Sequence, residues 1–280
     1  MKKILAIHDL SCFGRCALTV VMPILSSMGH QVVPLPTALL STHTGGFTDL
    51  HFRDLSDDME AIIRHFERLD LHFDAIYSGF LGSARQIGIV SDIINRFGDG
   101  VPVVVDPVMG DDGSLYSTYN DELVAGMGRL CRMADIITPN VTEACFLTGK
   151  PQIGALENEQ QVYEAADSLC RELEKRFGTR RIVVTGLCAG DAISNACLDG
   201  GSLRLISAPR LPRSFPGTGE VFTSVLTGML VHGASLSTAA QAAEDFTFKV
   251  INRSQASPEP SRNGVMLEDQ LGLLSKYAKQ

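Results

Sequence analysis

The sequence holds no Cys-x-x-Cys pair, although seven of its 280 residues are cysteines: Cys12, Cys16, Cys131, Cys145, Cys170, Cys188 and Cys197. An odd number without paired spacing argues against a zinc cluster and against a disulfide framework. Positive charge is also in short supply, the formal net charge being -8. Nucleic acid calls for a basic surface, so it is not an expected partner. No stretch reaches the ~20 apolar residues of a membrane span, so no membrane partner is expected either. The N-terminal run MKKILAIHDLSCFG has two lysines, but its apolar stretch is short and broken by His8 and Asp9. It reads as a first strand and not as a signal peptide, which makes the cytoplasm the expected location.

The common phosphate motifs are missing as well. No G-x-x-x-x-G-K-[ST] occurs: LTGKP has the Gly-Lys pair, but Pro151 stands where the hydroxyl belongs. No G-x-G-x-x-G follows the first strand. An acidic chain that binds a phosphate ligand then needs local backbone dipoles or a metal ion.

What is present is an ordinary globular balance, 45% hydrophobic and 20% charged. Strand-like runs recur at Lys3–His8, Gln31–Pro36, Asp74–Gly79, Val101–Pro107, Asp135–Asn140 and Arg180–Gly186. Helical patterns lie between them, at about Cys16–Met28, Leu55–Leu69, Ala84–Phe97, Asp121–Cys131 and Glu159–Phe177. Alternation of this kind predicts an α/β fold with a mostly parallel sheet covered by helices on both faces. After Arg180–Gly186, two runs flank DGGS at Asp199–Ser202 and read as a hairpin. Helices are expected near Ser237–Arg253 and Met266–Lys276. With no repeat and no low-complexity linker, residues 1–280 are expected to form one domain.

Ligands of parallel sheets bind beyond the carboxyl ends of the strands. The residues that follow the strands here are His8-Asp9, FLGS after Gly79, Asp106 with PVMGDDGS, Asn140 with Glu143, and Thr185-Gly186. Late in the chain comes PGTGEVFTSVLTGML, where Pro216, Gly217 and Gly219 interrupt regular structure. From Val221 onward, Val221, Phe222, Val225, Leu226, Met229 and Leu230 fall in two adjacent lanes at helical spacing. Glu220 therefore sits at a helix start, where N–H groups have no intrahelical partner. The segment reads either as ordinary helix-start chemistry, or as an anion hole with a base beside it.

In this order DPVMGD at Asp106–Asp111, ITPNVTE at Ile137–Glu143 and PGTGEVFTSVLTG at Pro216–Gly228 resemble the ribokinase-like fold. More narrowly they resemble its pyridoxal kinase branch, as do SGFLGS at Ser78–Ser83 and STHTGG at Ser41–Gly46, the likeness running from residue 3 to about residue 254. The resemblance implies ATP-dependent phosphorylation of the 5′-hydroxymethyl group of pyridoxal, pyridoxine or pyridoxamine. It implies an anion hole at Gly217, Thr218 and Gly219, with Glu220 as base. Asp106, Asp111, Asn140 and Glu143 would organise Mg²⁺ and phosphates, with Asp106 and Glu143 nearest the metal. Thr185 and Gly186 would touch the nucleotide phosphates, and Thr138 would help hold a monovalent cation such as K⁺ near Asp106. Relatives in that branch are commonly homodimers, so a homodimer is implied by analogy.

Taken singly, Asp106 also reads as the cap of a strand-to-loop turn, and Asn140 with Glu143 as a capping box. The match departs from the pattern on the substrate side. The usual base is Asp, and here it is Glu220. His8-Asp9 replaces a Gln-Ser pair, so Asp9 either accepts from a protonated ring nitrogen or caps the following turn. Phe80 stands where a Tyr often covers the substrate, and Thr44 matches a substrate-side position. Two other functions stay open: hydroxymethylpyrimidine kinase of thiamine synthesis, and a non-catalytic sensor of a B6 vitamer or nucleotide.

Overall fold

The run Val103–Val105 is apolar without alternation, and all three residues are buried. Only a strand covered on both faces satisfies that pattern, and this run forms the middle of the sheet. The computed structural model describes residues 1–278. In chain order its elements are β1 Lys3–Phe13, α1 Leu18–Ser27, β2 Gln31–Thr42, β3 Phe52–Asp54, α2 Ser56–Arg68, β4 Ala75–Ser78 and α3 Ala84–Phe97. There follow β5 Val103–Val105, the short pair β6 Gly110–Asp111 and β7 Ser114–Leu115, α4 Asp121–Met133, β8 Ile136–Ile137 and α5 Val141–Thr148. The chain continues with α6 Glu159–Phe177, β9 Arg181–Ala189, β10 Ala192–Asp199, β11 Ser202–Pro209, α7 Thr218–Val231 and α8 Leu236–Gln255.

Nine strands form one sheet in the order β11-β10-β9-β8-β5-β4-β1-β2-β3. Its centre, from β9 to β2, is parallel, and antiparallel partners flank it on both sides. One face packs on α2 to α6, the other on α1, α7 and α8. The expected α/β architecture is therefore observed, including the hairpin at Asp199–Ser202. No described helix is long and apolar enough to cross a membrane.

Local chemistry sets the helix ends. Ser83, Asn120, Asn158 and Ser235 accept backbone N–H groups at the starts of α3, α4, α6 and α8. Gly149 and Gly178 close α5 and α6 in the left-handed region. Helices α1 and α7 lie side by side with their starts together and their ends together. At the end, a Cβ on Gly228 would meet Met28 Cε at 2.6 Å. At the start, a Cβ on Gly217 would meet the Arg15 carbonyl oxygen at 2.2 Å.

Three expectations need correction. The first strand does not stop at His8, nor the second at Pro36. Both continue past the rim as a ribbon, Leu10 opposite Leu39 and Phe13 opposite Thr42, with an irregularity at Asp9. Pro34 and Pro36 fit because β3 pairs only with Ala38 to Leu40, leaving the outer side of β2 without a partner at the prolines. The expected helix over Met266–Lys276 is only a 3-10 turn, Leu271–Lys276. Leu267 and Leu274 are buried at helix-like spacing, but Glu268 and Asp269 are held by Arg15 and Arg253. Finally, α5 had no counterpart among the expected helices.

Candidate active site

The starts of α1 and α7 meet at the rim that β1 crosses and where β5 and β8 end. Gly217 has φ +88 and caps α7. A side chain there would be strained and would strike Arg15, so both the turn and the contact require glycine. The helix begins at Thr218, one turn earlier than its apolar lanes imply, because Thr218 turns its hydroxyl back to the Phe215 carbonyl at 2.5 Å. Gly219 is exposed and has nothing within 4 Å of where a Cβ would lie. The space beside Gly219 is thus open at the first turn of α7, whose N–H groups have no intrahelical partner, as an anion site needs.

Glu220 is the third residue of this helix. Its Oε1 accepts from the Ala17 N–H at 3.2 Å. Part of the residue stays open to solvent, while protein packed around the carboxyl raises its pKa. The N–H groups of Glu220 and Ala17 pull the other way. The helix start favours the carboxylate form, but burial outweighs it.

Asp9 lies inside the β1 ribbon at the irregularity and is buried. Ser11 Oγ donates to its Oδ2 at 3.0 Å. Because the strand continues, no turn follows for Asp9 to cap. Burial first, and then the Glu220 charge, push its pKa up to about 7.

Asp106 directly follows β5 and is buried. Its own N–H donates to the Ser78 carbonyl at 2.8 Å. Burial and the charge of Glu220 raise it to about 8, against the hydroxyls of Thr138 and Thr223. Thr138 is buried beside it, with Thr223 donating to Thr138 at 3.2 Å.

Asn140 and Glu143 form the capping box of α5: Asn140 Oδ1 accepts from the Glu143 N–H, and Glu143 Oε2 from the Asn140 N–H, both at 2.8 Å. Glu143 Oε1 also accepts from the Met109 N–H at 3.0 Å, and Asn140 Nδ2 donates to the Gly110 carbonyl at 2.8 Å. The box therefore ties the loop after β5 to the start of α5. Glu143 is raised well above its ordinary value by burial and by Asp106. Asp111 is exposed on β6 and acts on Glu143.

Thr185 and Gly186 lie in β9 across from this box. The Thr185 N–H donates to the Pro139 carbonyl at 3.0 Å, and Gly186 is left-handed at φ +86. A cavity of about 380 Å³ opens beside Gly186, lined among others by Ile153, Leu156, Leu187, Cys188 and Arg210. Phe80 follows β4, half-buried, with its ring 6.0 Å from Tyr119.

Thr44 is exposed, and no bond links it to Asp9 or Glu220. Its neighbour His43 is the buried residue of that loop. His43 Nδ1 accepts from the Gly45 N–H at 3.0 Å, and Nε2 meets the Arg262 carbonyl at 2.6 Å. His43, Ala17 and Thr223 are the members that sequence reasoning missed. Thr223 alone left a signal, a hydroxyl three places after Glu220 on one helix face.

The site is acidic from end to end. The Glu220 charge acts on both Asp9 and Asp106, and the Asp106 charge acts on Glu143. Among the described residues no Lys or Arg is a cause of the pKa shift of any of the four. Hard oxygen donors whose charges lack a partner suit a divalent cation that keeps its waters. Among the described residues no three His, Cys, Asp or Glu side chains converge as a ready cage.

The family model described as phosphomethylpyrimidine kinase matches residues 25–263. A provisionally assigned phosphomethylpyrimidine kinase of Bacteroides thetaiotaomicron, crystallised with pyridoxal, superposes with TM-score 0.88 and 41% identity. That match covers 98% of this chain and 95% of the other. A pyridoxine/pyridoxal/pyridoxamine kinase of Bordetella avium is 29% identical over 265 residues, 89% of this chain and 84% of its own. A thiamine biosynthesis bifunctional protein of Geobacter sulfurreducens is 29% identical over 238 residues, 83% of this chain. The match spans only 45% of that larger protein.

Proposed function

The chain belongs to the phosphomethylpyrimidine kinase family, phosphotransferases with an alcohol group as acceptor, and from that premise we propose that it uses ATP to phosphorylate the 5′-hydroxymethyl group of pyridoxal, pyridoxine or pyridoxamine, yielding pyridoxal 5′-phosphate or its analogues. One observation carries the reading. Glu220 stands at the open start of α7 with its carboxylate fixed by Ala17, one residue from the unobstructed Gly219. A base for the attacking hydroxyl and an anion hole for the transferring phosphoryl group then lie side by side.

Phosphoryl transfer needs positioning and charge stabilisation more than covalent help. The N–H groups of Thr218 and Gly219 stabilise the equatorial oxygens, with Gly217 making the turn. Glu220 takes the proton from the attacking hydroxyl, and the upward shift that burial gives its pKa makes it a stronger base than an exposed carboxylate. ATP lies along Thr185 and Gly186, with its base toward the cavity lined by Leu187 and Arg210. Asp106, Asp111 and Glu143, with Asn140, are the residues that would hold Mg²⁺, directly or through water. The ion supplies neutralisation of phosphate charge when bound. Thr138, beside Asp106, is the place for a monovalent cation.

On the substrate side Asp9 faces the ring nitrogen. A carboxyl that ionises at about 7 pairs with a pyridine nitrogen whether the proton starts on the acid or on the ring. Phe80 stacks on the ring, and Thr44 closes over it from its loop. The neighbour crystallised with pyridoxal supports a B6 vitamer.

A second reading has its own support. The family description and the thiamine-synthesis relative favour hydroxymethylpyrimidine as acceptor. The deciding experiment is ADP release with MgATP and, in turn, pyridoxal, pyridoxine, pyridoxamine and hydroxymethylpyrimidine. The highest kcat/KM should fall on a B6 vitamer. A higher value for the pyrimidine would overturn the assignment, and release with none of the four would overturn both readings.

A further inference from the structure

A further buried carboxylate, Glu244 on α8, belongs to none of the groups above. It is 7% exposed, and among the described residues no Lys or Arg is a cause of its pKa shift. Burial pushes its pKa up to about 7, aided by the adjacent Asp245 charge and opposed by Asn195. Leaving a carboxyl here costs stability, and a packed apolar residue would be the cheaper filling.

Its one bond explains the placement. Asn195 Nδ2 donates to Glu244 Oε2 at 2.5 Å, and Asn195 Oδ1 accepts from the Gly186 N–H at 3.1 Å. The β9–β10 pairing is irregular at this point. Ser194 lies opposite Leu187 and Ala196 opposite Val184, so Asn195 faces both Thr185 and Gly186. Such a bulge leaves one strand amide without its ladder partner, and the Asn195 side chain supplies the missing acceptor. The other edge of the step is held by the Thr185 N–H on the Pro139 carbonyl.

An asparagine amide can lie either way round. Only one way presents oxygen to Gly186; the other sets N–H against N–H. A carboxylate is purely an acceptor, so Glu244 selects the amide orientation that Gly186 needs.

We propose that Glu244 is a positioning residue for the nucleotide: acting through Asn195, it holds the Gly186 peptide in its left-handed conformation and so aims the Thr185 hydroxyl at the phosphates of ATP. This rests on the reading that Thr185 and Gly186 line the nucleotide site. Glu244 touches neither ligand, and its effect is confined to the nucleotide half of the site.

The test compares Glu244→Met, Glu244→Gln and Thr185→Ala in the full chain. Methionine keeps the length and removes the acceptor, whereas glutamine keeps an acceptor oxygen for Asn195. Binding of a fluorescent trinitrophenyl analogue of ADP is measured without acceptor, alongside KM for ATP and for pyridoxal. Glu244→Met should weaken the analogue and raise KM for ATP by about tenfold, the effect of one lost hydrogen bond. KM for pyridoxal should stay within about twofold, and Glu244→Gln should restore nucleotide binding. If Glu244→Met does not fold, Asn195→Ser carries the same prediction. An equal loss for both substrates, or a fall in Tm alone, would overturn the proposal and leave Glu244 a core residue. If Thr185→Ala weakens the analogue while Glu244→Met does not, only the role of Glu244 fails. If Thr185→Ala has no effect, the nucleotide site itself lies elsewhere and the proposal falls with it.

Discussion

The Ala17 N–H donates to Glu220 Oε1 at 3.2 Å, joining the start of α1 to the start of α7 across 203 positions of sequence. Ala17 adopts φ 48 and ψ -132, a conformation that L residues avoid. The base is thus held by the backbone of another helix, and the strain lies on the donor side. Glu220→Gln keeps an oxygen for Ala17 and removes the basicity. It should lower kcat by ~10²–10⁴ with little change in ATP affinity. Glu220→Asp draws the carboxylate back by roughly 1.5 Å, one C–C bond, and out of reach of Ala17. A misplacement of about 1 Å can already cost ~10²-fold, so Asp should be poor here despite being the usual residue in the resembling branch. Steady-state kinetics of both variants check this. Full activity in Glu220→Gln would move the base elsewhere.

Asp9 gives a prediction in pH. Its carboxyl is raised to about 7 by burial and by Glu220, so it changes charge across the neutral range. A plot of log kcat/KM for pyridoxal against pH should bend near 7, and Asp9→Asn should remove that bend. Asp9→Ala should weaken B6 binding by about 1–3 kcal/mol, the loss of a charge-assisted hydrogen bond, while ATP affinity is nearly intact. An equal loss for both ligands would make Asp9 a brace of the β1 ribbon and not a ring contact.

How far the sequence disclosed this site depends on the kind of contact. Asp106 was legible because VPVVVD is apolar up to the residue where the strand leaves the sheet. The segment Gly217 to Glu220 was legible through Gly217, where a left-handed turn and a close approach admit only glycine. Ala17 and His43 were not. A backbone donor leaves no trace in residue type, and His43 gains its meaning from the Arg262 carbonyl, 219 positions away. The ribbon beyond His8 was hidden because Asp9 and Ser11 are polar, and its strand pairing is long-range. Helix α5 was hidden because its eight residues are too few for a period to emerge. Only its capping box could be read, and the structure contains both bonds of that box.

The buried carboxylates predict how pH and Mg²⁺ act on stability. Asp106 is raised from 3.8 to about 8 by burial and by Glu220. The folded form then binds a proton that the unfolded form has released. Stability from this group is therefore full below the unfolded pKa and is lost as pH rises through the folded one. The window runs from about 4 to about 8, and Tm without metal should fall across it. A cation displaces the proton and stabilises the carboxylate form. The rise in Tm on adding Mg²⁺ should thus be larger at pH 8.5 than at pH 6. Thermal melts at both values with and without MgCl₂ check it, and a Mg²⁺ increment independent of pH would remove Asp106 from the metal's surroundings.

Glu143 separates structural from metal-binding duty. Its two oxygens accept from the Met109 and Asn140 N–H groups, so the residue pins a loop and starts a helix before any metal arrives. Glu143→Gln leaves one of these N–H groups facing an N–H. The fold should survive, but at a cost of about 1–3 kcal/mol. The fall should be greatest at low pH. Burial and Asp106 raise Glu143, so the native protein itself loses stability as pH rises through that pKa, and the variant lacks this loss. If Glu143 also holds waters of a Mg²⁺ ion through its remaining lone pairs, the Mg²⁺ concentration for half-maximal rate must rise in the variant. That titration belongs at a temperature where both proteins are fully folded. A lower Tm with an unchanged Mg²⁺ requirement would reduce Glu143 to the capping box alone, leaving Asp106 and Asp111 as the metal's only carboxylates.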